Sequence, residues 1–90
     1  MRRVSTKSGY IAYRATAEET ALLGGCGICD DCGKFSAEGY LIPVLNHYMC
    51  PDCFRDWESS SRFYPEDLPV EHGAAAYFES RIPLEGDESA

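Results

Sequence analysis

Cys29-Asp30-Asp31-Cys32-Gly33-Lys34 and Cys50-Pro51-Asp52-Cys53-Phe54-Arg55-Asp56-Trp57, with seventeen residues between Cys32 and Cys50, decide the fold. Each Cys-x-x-Cys pair lets two sulfurs converge on one cation, and two pairs complete the four-thiolate tetrahedron that structural zinc prefers. Gly33 directly follows the first pair, where the chelating turn favours a backbone conformation that glycine adopts without penalty. Behind the second pair the sequence reads as a helix, and Pro51 suits its first turn. The expected Zn2+ site, Cys29, Cys32, Cys50 and Cys53, therefore ties a loop to the start of a helix.

Other uses of cysteine fit less well. A redox Cys-x-x-Cys is expected once, beside a βαβ pattern, and no such pattern is visible in the sequence. Catalytic zinc keeps one position open for water, whereas four thiolates close the sphere. The zinc deaminase signature is not met, because Gly73 and Ala74 follow His72 and Pro51 lies inside the second pair rather than before it. The expectation is a protein without catalytic activity.

On these residues the chain resembles treble-clef zinc fingers, in which one Cys pair lies on a knuckle and the other on the first turn of a helix. The spacing Cys29-x2-Cys32-x17-Cys50-x2-Cys53 is similar to that of GATA-type DNA-binding fingers. The phrase Tyr48-Met-Cys50-Pro-Asp-Cys53-Phe-Arg-Asp-Trp57 resembles the closing part of a LIM domain's second finger. What both resemblances imply is an α+β, zinc-stabilised, treble-clef-like domain with a β-hairpin and short flanking helices. A shared local fold does not by itself state a function.

A second ligand frame is present. Cys26, Cys29, His47 and Cys50 have the spacing of a LIM domain's first zinc site, and this frame shares Cys29 and Cys50 with the first. Gly33 follows the second ligand of the Cys29, Cys32, Cys50, Cys53 frame, which is therefore preferred. Cys26 then reads as a thiol beside the site, or as a reactive cysteine if its surroundings lower its pKa.

Charge separates the functions a finger can serve. The chain has 90 residues, with 15 acidic against 8 basic side chains and a formal net charge of −7. Nucleic-acid binding draws on Lys and Arg that neutralise phosphates. Only Arg2, Arg3 and Lys7 cluster, and Pro65-Glu66-Asp67 follows the presumed zinc helix where a GATA-type finger carries basic residues. The composition thus argues against nucleic acid and for a protein partner, in an adaptor or interaction module. One specific version is an acidic inhibitor that occupies the basic groove of a nucleic-acid-binding protein. The competing reading is a DNA- or RNA-binding finger of the transcriptional-regulator type. The N-terminus lacks the apolar segment of an export signal, and there is no apolar run approaching the ~18 residues of a membrane helix. Five cysteines then point to a reducing, cytoplasmic setting, with the protein a monomer or weak homodimer.

Elsewhere the elements are short. Tyr10-Ile-Ala-Tyr13 has strand content. Thr16-Ala-Glu-Glu19 fits a capping box opening a two-turn helix that stops at Gly24-Gly25, with Leu22 and Leu23 expected to cover the zinc side. Residues 40–45 and 47–49 flank Asn46 as a hairpin, and Pro43 is expected on an edge strand because it cannot donate to a ladder. Val70, Ala74, Tyr77, Phe78 and Ile82 form an amphipathic stripe, read either as core or as a docking helix. The expected organisation is one domain over residues 1–82, with a zinc core at 26–62 and a C-terminal helix over about 67–82, followed by an acidic disordered tail at 83–90.

Overall fold

In the computed structural model, which describes residues 1–85 and the backbone of 87 and 88, the register of one sheet sorts the core into two halves. Its strands are β1 (Arg2–Val4), β2 (Ala12–Thr16), β3 (Glu38–Ile42), β4 (His47–Met49) and β5 (Asp87–Glu88). They lie in the order β4-β3-β2-β1-β5, antiparallel except for β5, which runs parallel to β1. Tyr13 stands opposite Leu41 and Leu41 opposite Tyr48, whereas Arg14 stands opposite Tyr40 and Tyr40 opposite Met49. Directly opposed residues share a face, and alternate residues along a strand change face. One face therefore presents Tyr13, Ala15, Leu41 and Tyr48, and the other Ala12, Tyr40, Ile42 and Met49.

A helix covers each face. α3 (Leu68–Arg81) lays Ala75 and Phe78 on the first face, joined by Ile82 and by Met1. Phe78 meets the Tyr13 ring edge-on at 6.4 Å, a favoured aromatic geometry. α2 (Pro51–Ser60) covers the second face with Phe54, whose ring stacks on Tyr40 at 3.9 Å and 11°. Cys29 is buried in this second half, so the cysteines belong to the α2 side of the sheet. The result is an α+β layering of helix, sheet and helix.

Several local expectations are met. Thr16 caps α1 (Ala17–Thr20) by accepting from the Glu19 N–H at 3.1 Å, while Glu19 accepts from the Thr16 N–H at 3.0 Å. A 3-10 turn over Ala21–Leu23 ends at Gly24 in the left-handed region, as a helix stop requires. Asn46 takes φ 55° in the turn between β3 and β4.

Other expectations are corrected. Leu22 is exposed and Leu23 packs on the α3 half, so α1 does not cover the cysteines. β3 is an interior strand, and Pro43 sits one residue past its end, in the turn, where no ladder bond is demanded of it. On α3 the buried residues are Glu71, Ala75 and Phe78, followed by Ile82, while Val70 and Tyr77 are exposed. Periodicity misplaced this face because a carboxylate sits in it. Glu71 is 2% exposed and accepts from the Ile11 N–H at 2.7 Å, which offsets part of its desolvation. Tyr40 and Tyr48 are packed into the structure, Tyr40 stacking on Phe54 and Tyr48 donating to the Ser36 carbonyl at 2.7 Å.

Two contacts are recorded at the C-terminal end. The Glu85 N–H donates to the Met1 carbonyl at 2.8 Å, and residues 87–88 extend the sheet. Residues 86, 89 and 90 lie outside the described residues.

Two measurements check this packing. A Cβ on Gly39 would lie 2.4 Å from the Met49 carbonyl oxygen and 2.8 Å from the Tyr48 ring. Gly39→Ala is expected to cost about 2–3 kcal/mol in denaturant unfolding, the upper part of the overpacking range. The Met1 α-amine donates to Glu19 at 2.5 Å and to Glu85 at 3.0 Å. Burial alone would lower its pKa, but these carboxylates outweigh burial and hold it above its ordinary value of 8.0. With Met1 first, this contribution is complete below about pH 8 and is lost as pH rises through the higher folded value. Glu19→Gln is expected to flatten the fall in unfolding free energy above pH 8.

Candidate metal centre

Two local structures deliver the four thiols. The first is a tight hairpin over residues 28–35, closed by an antiparallel bridge between Ile28 and Phe35. Within it the Cys29 N–H donates to the Lys34 carbonyl at 2.9 Å and the Gly33 N–H to the Cys29 carbonyl at 2.8 Å. This winding puts Gly33 at φ 77°, although a Cβ there would meet nothing within 4 Å. Backbone conformation, rather than lack of space, is what favours glycine. The Cys32 N–H also turns toward Cys29 Sγ, at 3.5 Å.

The second structure is the start of α2. Cys50 is the N-cap, with extended backbone and no capping hydrogen bond from its side chain, and Pro51 occupies the first turn. The Phe54 N–H donates to the Cys50 carbonyl at 2.9 Å, the first bond of the helix. Three residues further along, Cys53 shares a side of the helix with Cys50.

All four Sγ atoms lie within 4.8 Å of one another, and Cys32 and Cys50 are 3.9 Å apart. A tetrahedron with metal–sulfur bonds near 2.3 Å needs sulfur separations of about 3.8 Å. The thiols fit a single cation after a small contraction. Cys29 is buried, Cys50 and Cys53 are half-buried and Cys32 is exposed, so the group sits where the α2 half of the core reaches the surface. Four cysteines so placed could hold a metal ion. Cys26 is exposed and lies outside this group, as does His47. The alternative frame of Cys26, Cys29, His47 and Cys50 is thus not assembled, and His72 lies exposed on α3.

Asp30, which the sequence reading passed over, fixes the hairpin in place. Its N–H donates to the Tyr48 carbonyl at 2.8 Å, and its Oδ2 accepts from the Tyr48 N–H, also at 2.8 Å. This reciprocal pair covers the outer edge of β4 two residues before Cys50. The partner is eighteen residues away, so the local turn chemistry of Asp gave no signal for this contact.

The thiols differ in their hold on protons. Burial pushes Cys29 up, but the backbone N–H groups of Cys32, Cys50 and Asp31 outweigh it and bring it down to about 6. Cys53 is raised, first by its hydrogen bond with Cys50 and then by burial. At Cys32 the Lys34 N–H acts downward, yet the Cys29 sulfur and partial desolvation leave its pKa raised. Cys29 is thus the thiol readiest to ionise, while hydrogen bonds among the sulfurs hold protons on Cys32 and Cys53. A cation would replace those protons.

No known protein family, curated protein or solved structure matches the chain. Among the described residues no helix is long and apolar enough to cross a membrane.

Single replacements separate the two frames. Cys26→Ser and His47→Ala should each retain one equivalent of bound metal, measured by elemental analysis after gel filtration. Serine at position 29, 32, 50 or 53 should leave less than a full equivalent and lower the midpoint of thermal unfolding.

Proposed function

We propose that this chain is a small treble-clef-type domain with one structural zinc ion, and that its function is to bind another protein. The observation that carries the reading is the closure of the site. Four thiols within 4.8 Å fill a tetrahedral sphere and leave no position for a substrate or an activated water. The succession of chelating hairpin, β3–β4 hairpin and ligand-bearing helix supports the treble-clef assignment, and an all-sulfur tetrahedral donor set suits zinc. On this reading the zinc holds the domain together and takes part in no reaction.

Charge supports a protein partner over nucleic acid. Four thiolates around a divalent cation add two negative charges to the formal −7 of the chain. Arg2 and Arg14 stand directly opposite one another across β1 and β2, but Glu19, Glu38 and Glu85 border the same hollow. The basic residues therefore make no uninterrupted positive face for phosphates. A protein of this kind works in a reducing compartment such as the cytoplasm, where its thiols remain available to the metal. A basic protein surface is the partner its acidity favours.

Gently purified protein should contain one zinc per chain. Chelation should unfold the α2 half, because structural zinc contributes about 10–16 kcal/mol of apparent binding energy in finger peptides, against about 5–15 kcal/mol of net stability for a whole domain. Gel shifts with duplex and single-stranded probes at low salt should show no binding. A shift that weakens with added salt would favour the nucleic-acid reading, and metal-free protein that stays folded with free thiols would remove the structural role of zinc.

A further inference from the structure

Helix α3 turns one side to the sheet and leaves another uncovered. Beside its buried line run Val70, Gly73, Ala74, Tyr77 and Arg81, all within an arc of about 100° on a 3.6-residue helix, with Glu66 in the 3-10 turn (Pro65–Asp67) that leads into it. Val70 is 60% and Tyr77 46% exposed, and a Cβ on Gly73 would meet nothing within 4 Å. The order of these residues is the same in kind from either end. Glu66 and Arg81, Val70 and Tyr77, and Gly73 and Ala74 are each equidistant from a point midway between Gly73 and Ala74.

We propose that this face is a self-association surface on which a second copy of the chain packs its own α3, antiparallel, about a two-fold axis through that point. A two-fold contact is isologous, so each pairing occurs twice. Val70 meets Tyr77 of the second copy, Gly73 meets Ala74 where the helices cross and small residues allow close approach, and Glu66 meets Arg81. Charge complementarity selects a second copy as the occupant. Glu66 lies in the turn just before the N-terminal end of α3, which favours negative charge, and Arg81 in its last turn, which favours positive charge, and antiparallel packing brings opposite ends together. Neither residue has an ion-pair partner within its own chain among the described residues. Arg81 is held along the stripe, its guanidinium carbon 5.3 Å from the centre of the Tyr77 ring.

The dimer is weak. A 14-residue helix is about 21 Å long, so one helix-on-helix contact buries less than the ~800 Å² per partner of a standard interface. The cysteines pack with the α2 half of the core, on the other face of the sheet.

Sedimentation of the zinc-loaded full chain tests the proposal. The weight-average mass of the parent should rise from monomer toward dimer with concentration. Glu66→Arg alone and Arg81→Glu alone should each weaken association by at least about fivefold, since each places like charges together at two sites per dimer. An equimolar mixture of the two variants should recover it, because every contact in the mixed dimer again pairs opposite charges. A parent that stays monomeric up to about 1 mM overturns the proposal. So do single variants that associate as tightly as the parent, and a mixture that fails to recover association. Circular dichroism of each variant separates loss of association from loss of fold, and none of these outcomes depends on whether a protein partner exists.

Discussion

The gathering of four thiols within 4.8 Å is the constraint on which the α2 half of the molecule depends. It sets a hairpin at residues 28–35 against the first turn of α2, beside the reciprocal contact of Asp30 with Tyr48. With that junction made, α2 has little freedom over the sheet, and Phe54 is directed onto Tyr40. A chain of this length buries only about 60–65% of its unfolded surface, so its apolar core has little stability in reserve. A cation shared by both segments would supply what the core lacks.

The sheet divides this dependence. On one side Ala12, Ile42, Met49 and Phe54 pack with Cys29, Cys50 and Cys53, so core and cysteine cluster are continuous there. On the other side Tyr13, Leu41, Tyr48, Phe78 and Ile82 pack without any cysteine. That half is tied down by polar contacts at its margins. Glu71 accepts from Ile11, Tyr13 donates to Glu79, and Tyr10 donates to Asp67 at 2.6 Å. Loss of a metal would therefore loosen the α2 half first, and α3 would keep its seat for as long as the sheet persists.

The Asp30–Tyr48 pair links the two halves. Tyr48 faces the α3 core with its ring, while its backbone meets the chelating hairpin. An edge strand is open to pairing with other chains, and here the hairpin occupies that position at β4. The same contact aligns Cys29 and Cys32 with Cys50, so protection of the edge and assembly of the site come from one arrangement.

Features that depend on a few neighbouring residues were legible in the sequence. The two Cys-x-x-Cys pairs, Gly33 in its positive-φ turn, the Thr16–Glu19 capping box, Asn46 in the hairpin turn and Pro51 at the start of α2 each follow from local geometry or local hydrogen bonding, which act over three or four residues. What the tertiary structure decided was which surface meets which. It buried Glu71 against a distant N–H, set Val70 and Tyr77 outside, made β3 an interior strand and paired residues 87–88 with β1. It also left Cys26 and His47 away from the thiols, although their spacing allowed a second frame. Burial and strand pairing are set by segments remote in the chain, and a periodicity that scores every carboxylate as exposed has no means of registering a partner sixty residues away.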